Sequence, residues 1–103
     1  MIKEPAPPVR PTVAAIQEEV ARYYMLPTIE MRSQRRARRV ARPRQIAMYL
    51  CRELTEHSLP NIGRLFGGRD HSTVMHAIRK IEDIAISDGA IERDLVQLKA
   101  RLA

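Results

Sequence analysis

The spacing of apolar residues restricts this chain most: they recur every three or four positions in four separate stretches and alternate nowhere. Val13, Ile16, Val20 and Tyr23 or Tyr24 make the first stretch, and Ile46, Leu50 and Leu54, with Ala47 and Cys51 beside them, the second. Val74, Ala77, Ile78 and Ile81 make the third, and Ile91, Leu95, Leu98 and Leu102 the last. Such stripes are the core-facing sides of amphipathic helices, so the expected fold class is all-α, a compact bundle of about five to six helices. The 103 residues include one Phe, three Tyr and no Trp, so the core must rest on aliphatic side chains and Met. That length makes one small domain.

Breakers and caps divide the pattern. Four of the seven prolines fall in the first 11 residues, where no period is visible, so residues 1–11 read as a Pro-rich flexible tail and 12–103 as the domain. Thr12 is placed to cap a helix that stops before Pro27, and Thr28 to cap a short one through Ile29 and Met31. Pro43 is tolerated in a first turn, where its missing N–H has no intrahelical partner, which predicts a helix from near Arg42 to about Thr55. Its wheel leaves Arg44, Gln45, Met48 and Arg52 toward the face away from the core. Ser58 caps a short helix that ends at Gly67-Gly68, Asp70 opens a longer one to about Ile84, and Ser87-Asp88-Gly89 interrupts before the last.

Charge is distributed unevenly. Residues 32–80 carry 12 Lys and Arg against 3 acids, and the remainder 6 against 9. Fifteen of the 18 cations are arginine, whose planar fork suits phosphates and base edges, so the expected partner is a polyanion. Seven arginines and no acid occupy residues 32–44. A run like this is either a solvated face or, held between two helices, a loop that can enter a narrow minor groove.

The unit from 58 to 84, short helix, glycine turn and longer helix, has the layout of a helix-turn-helix. On its second helix Ser72, Thr73, His76, Arg79 and Lys80 fall opposite the apolar stripe. Hydroxyls and an imidazole leading into cations suit base edges flanked by phosphates. Asp70 admits two roles, helix cap and acceptor from a cytosine amino group, and His71 and His76 are either solvated or in contact with a ligand.

Other classes find little support. No apolar run approaches the roughly 18 residues of a membrane span, and the N-terminus lacks a secretory h-region. The expected location is therefore cytoplasmic, associated with the nucleoid, with no membrane partner. Cys51 has no disulfide or zinc partner and reads as a core residue. Cys51 and His57 would stand about 240° apart on a helix, and His71 and His76 about 140°, so neither pair forms a catalytic or metal site. There is no G-x-x-x-x-G-K-[ST] loop. No enzyme activity, metal, nucleotide or cofactor is expected.

The segment "RRARRVARPRQIAMYLCRELTEHSLPNIGRLFGGRDHSTVMHAIRKIE" closely resembles the C-terminal DNA-binding domain (domain IV) of the bacterial replication initiator DnaA family. The likeness runs over roughly residues 12–100. It implies sequence-specific binding of double-stranded DNA at DnaA boxes, linked to replication initiation at an origin or its regulation, by a monomer reading one asymmetric site. By position, Asp70, His71, Ser72 and Thr73 correspond to the base-reading start of the recognition helix in the major groove. Arg36, with Arg35 and Arg38, corresponds to the minor-groove loop. Arg44, Gln45, Arg52, Leu59, Pro60, Arg69, His76 and Lys80 correspond to backbone or base-adjacent contacts. Two residues depart from the family pattern. Ser72 replaces a common Thr and loses a methyl that packs on thymine, and Arg39 adds charge that favours any DNA. The starting Met and Pro-rich lead fit a complete small protein, though a piece cut inside a linker would look the same. The alternative reading is a basic helical interaction module, an adaptor or antagonist that meets regulatory proteins of replication, or a local transcriptional regulator.

Overall fold

Short polar side chains decide where most of the helices begin. In the computed structural model, which describes residues 10–103, the Thr12 hydroxyl accepts from the Ala15 amide at 3.0 Å and starts α1 (Val13–Tyr23). A single 3-10 turn follows at Thr28–Met31, led in by Pro27. Next comes α2 (Arg38–Leu54), with Ala37 ahead of it and no side-chain cap. Ser58 accepts from the Asn61 amide at 3.2 Å and starts α3 (Leu59–Leu65). Asp70 accepts from the Ser72 amide at 3.3 Å and starts α4 (His71–Ser87). Asp88 both closes α4 and caps α5 (Gly89–Leu102), accepting from the amides of Ala90 and Ile91. Each side-chain cap contributes about 1 kcal/mol. No strand occurs among the described residues, and none of their helices is long and apolar enough to cross a membrane.

Three expectations are corrected. Thr28 lies inside its turn rather than capping it. The second long helix begins at Arg38, not near Arg42, so Pro43 is internal to it and the Arg39 carbonyl loses a helical partner. The extra turn holds because Val40 is fully buried and the Ala37 carbonyl accepts from both Val40 and Ala41, at 2.9 and 2.8 Å. The wheel of this helix also misleads, since Arg44 and Met48 are buried and Leu54 only half-buried. The predicted tail lies outside the described residues except for Arg10 and Pro11.

The core lies where α2 meets α1, α4 and α5, and the predicted stripes supply it. Ile16, Val20, Ile46, Leu50, Val74, Ile81 and Leu98 are fully buried, joined by Ile62 and Phe66 from beneath the glycine turn. Cys51 is one of these core residues, and burial pushes its thiol up to about 12. Polar struts close the edges: the Gln17 amide donates to the Leu65 carbonyl at 3.0 Å, and the hydroxyls of Tyr23 and Tyr24 both donate to Asp94 at 2.7 Å. These bonds join α1 to the end of α3 and to α5, leaving α4 supported along its apolar side.

Candidate nucleic-acid interface

The turn between α3 and α4 is built by two close approaches. At Gly63 a Cβ would stand 2.1 Å from the Arg69 carbonyl oxygen, and the Arg69 amide donates to the Gly63 carbonyl at 2.8 Å. At Gly67, with φ +84°, a Cβ would stand 2.3 Å from the Arg32 carbonyl oxygen, in a left-handed conformation that favours glycine in any case. The chain then enters α4 with Val74, Ala77, Ile78 and Ile81 buried and Ser72, Thr73, His76, Arg79 and Lys80 exposed.

At the tip of α4 the cap role of Asp70 is occupied. Its carboxylate accepts from the Ser72 amide and hydroxyl, and the His71 Nδ1 stands 3.4 Å away. The Ser72 hydroxyl, then the Ser72 amide, hold the Asp70 carboxyl below its ordinary range. Asp70 remains exposed, as do His71, Ser72 and Thr73, so the cap leaves the tip open to a ligand. The anionic side chain also sits at the positive end of the helix dipole.

The basic stretch is sorted into three groups that its sequence does not distinguish. Arg36, Arg38 and Arg39 are exposed and have no carboxylate partner among the described residues. Arg38 and Arg39 stand on the first turn of α2, so Arg38 is not on the loop where the sequence reading put it. Arg35 pairs with the buried Glu30 at 2.7 Å. Arg44, only 4% exposed, faces inward: it donates to the Glu30 carbonyl at 2.9 Å, the Arg35 carbonyl at 3.1 Å and the Ser33 hydroxyl at 2.9 Å. Burial, and then the charge of Arg69, lower the Arg44 pKa, though a guanidinium stays protonated. Arg69, half-buried, donates to the carbonyls of Phe66 and Ser33.

Between the loop and α4 lies an open cleft of about 560 Å³. It brings together Arg35, Arg36, Arg44, Gln45, Arg69, Thr73, His76 and Lys80 from the predicted set. The Gln45 amide oxygen there has no partner among the described residues. Arg38, Arg52, Leu59, Pro60, Asp70, His71 and Ser72 lie outside the cleft. Of these, Arg52 is exposed on α2, while Leu59 and Pro60 form the first turn of α3. Glu30, Ser33, Gln34 and Gly63 went unnoticed in the sequence. Glu30 alone left a signal, an acid five residues ahead of Arg35 in the basic stretch.

A short helix, a glycine turn and a second helix with a polar exposed start, joined to a basic loop, place the molecule among the helix-turn-helix domains. The chain belongs to the bacterial dnaA protein helix-turn-helix family, whose model matches residues 13–81. It is 50% identical over 91 residues to the chromosomal replication initiator protein DnaA of Ruegeria pomeroyi, a match covering 88% of this chain and 19% of the relative. The corresponding protein of Sphingopyxis alaskensis is 48% identical over 93 residues, covering 90% and 20%. A crystal structure of a DNA replication initiation factor superposes with TM-score 0.78 at 36% identity, covering 87% of this chain and 27% of that one. The chain thus spans about a fifth of the length of the curated relatives it matches.

Proposed function

We propose that this domain binds double-stranded DNA sequence-specifically at sites of the DnaA-box type and serves replication initiation or its regulation. The observation that carries the reading is the shared cleft, where loop arginines and the cationic side of α4 face one volume. Asp70, His71, Ser72 and Thr73 read base edges in the major groove, where hydroxyl and imidazole donors and acceptors discriminate best. Arg36 enters the adjacent minor groove, with Arg38 reaching the backbone from the start of α2. Lys80, His76, Gln45 and Arg52 meet phosphates or sugars, and Leu59 and Pro60 pack beside the backbone at the start of α3. Arg35 and Arg44 act chiefly on the loop itself, holding it in shape through Glu30 and Ser33. One domain occupies one asymmetric site as a monomer.

A competition shift assay tests this. A box-bearing duplex should displace labelled box DNA far better than a scrambled duplex of equal length, and equal competition at moderate salt would sink specific readout. Affinity should fall by roughly 0.9 log unit per log unit of salt for each phosphate neutralised.

A further inference from the structure

The loop and the turn ahead of α4 are far apart in sequence, yet one side chain holds the backbone of both. Arg69 donates through one terminal nitrogen to the Phe66 carbonyl and through the other to the Ser33 carbonyl, the latter at 2.5 Å. Its own amide is bound to the Gly63 carbonyl at 2.8 Å. Gly67 belongs to the same joint, because its missing Cβ lets the Arg32 carbonyl lie directly on the turn. Arg44 also reaches Ser33, donating to its hydroxyl at 2.9 Å.

We infer that Arg69 is a positioning residue that locks the basic loop to the recognition helix as one body, setting the distance between Arg36 and the α4 tip before DNA arrives. The inference rests on the DNA-binding reading above and assigns Arg69 a different role from the backbone or base-adjacent contact implied by family likeness. A guanidinium suits the task, since two carbonyls on separate segments need two donors held in one fixed plane. An ammonium is a single point with freely turning donors and bridges them poorly. Fixing the loop beforehand removes an ordering cost from binding, so the lock favours affinity and, more specifically, minor-groove discrimination.

The test compares Arg69→Lys with the unaltered domain on three duplexes. One carries the box. In the second, diaminopurine replaces adenine beneath the loop, adding an amino group to the minor-groove edge and leaving the major-groove edge unchanged. The third has a base pair exchanged beneath α4. The unaltered domain should lose roughly 5- to 150-fold on each altered duplex, the equivalent of one base contact. Arg69→Lys should lose most of its discrimination against the diaminopurine duplex and keep its discrimination against the third. If it instead retains both ratios, Arg69 is not the lock and the inference is overturned.

Should Arg69→Lys fail to fold, the guanidinium resonances of Arg69 in the unaltered domain decide the matter. Slowly exchanging N–H signals in the free protein that stay in place when DNA is added support the lock, and signals that shift on titration as a phosphate contact overturn it. If the unaltered domain distinguishes none of the duplexes, the function reading fails. The free-protein signals then judge the lock by themselves: slow exchange supports it, and fast exchange overturns it.

Discussion

Gly63→Ala puts the helix-turn-helix geometry to a quantitative test, because two effects of opposite sign meet at one atom. Gly63 lies within α3, where alanine is favoured over glycine by about 0.5–1 kcal/mol through backbone entropy. Against this, the new methyl would stand 2.1 Å from the Arg69 carbonyl oxygen and 3.1 Å from its carbon. Backbone atoms cannot rotate aside as a side chain could. The segment is further tethered by the Arg69 amide on the Gly63 carbonyl, and Val74 Cγ2 blocks the other side at 3.3 Å. Overpacking of this kind costs about 1–3 kcal/mol, and separating the segments loses a hydrogen bond that contributes about 1 kcal/mol. The clash therefore wins, leaving a net destabilisation of about 1–3 kcal/mol and a fall in Tm of roughly 5–20 °C for a domain of this size. Thermal melts followed by circular dichroism measure it directly. A variant that melts at or above the temperature of the unaltered domain would refute the close approach of α3 to the α4 turn. At temperatures where the variant is folded, displacement of the Arg69 carbonyl should also tilt the tip and weaken binding to box DNA.

Three further outcomes follow from the same geometry. His71→Ala and Arg36→Ala should lower the preference for box over scrambled DNA, whereas Lys80→Ala should weaken both duplexes alike and reduce the salt slope by about one unit; equal loss of preference in all three variants in the shift assay would contradict the division of roles. The Asp70 carboxyl titrates below its ordinary value in the folded chain, so its cap stabilises the domain above the unfolded-state pKa and is lost as pH falls through the lowered one. Asp70→Asn, an equally good cap without a charge, should therefore show a weaker decline in Tm on acidification through the carboxylate range; melts at several pH values that decline in parallel would count against the assignment. Asp94→Ala leaves two tyrosine hydroxyls without their acceptor and should cost more than Tyr23→Phe or Tyr24→Phe alone, by about 1–3 kcal/mol in urea denaturation; a loss no larger than either single phenylalanine variant would show that the α1–α5 tie is unimportant.

Much of the architecture can be traced to local chemistry. The stripes at Val13–Tyr23 and His71–Ser87 could be read because helical period alone places Ile16, Val20, Val74 and Ile81 on one side, where the core then buries them. Ser58, Asp70 and Thr12 could be read as caps because a short oxygen at a helix start satisfies amides that have no other partner. Local rules failed at Pro43, where an isolated helix would rather begin and where Val40, drawn into the core, holds one more turn.

From its residues alone the chain determines an aliphatic helical domain, the helix starts at Thr12, Ser58 and Asp70, a polar tip at Asp70–Thr73 and a strongly cationic middle, since period, capping and charge act over a few neighbouring positions. Tertiary structure alone decides which arginines are available. Arg36, Arg44 and Arg69 carry the same charge, yet Arg36 faces solvent while Arg44 and Arg69 fasten the loop through carbonyl and hydroxyl groups 9 to 36 residues away in the chain. A guanidinium's role depends on its burial and on the acceptors brought to it, and those are supplied by the folded backbone rather than by sequence neighbours.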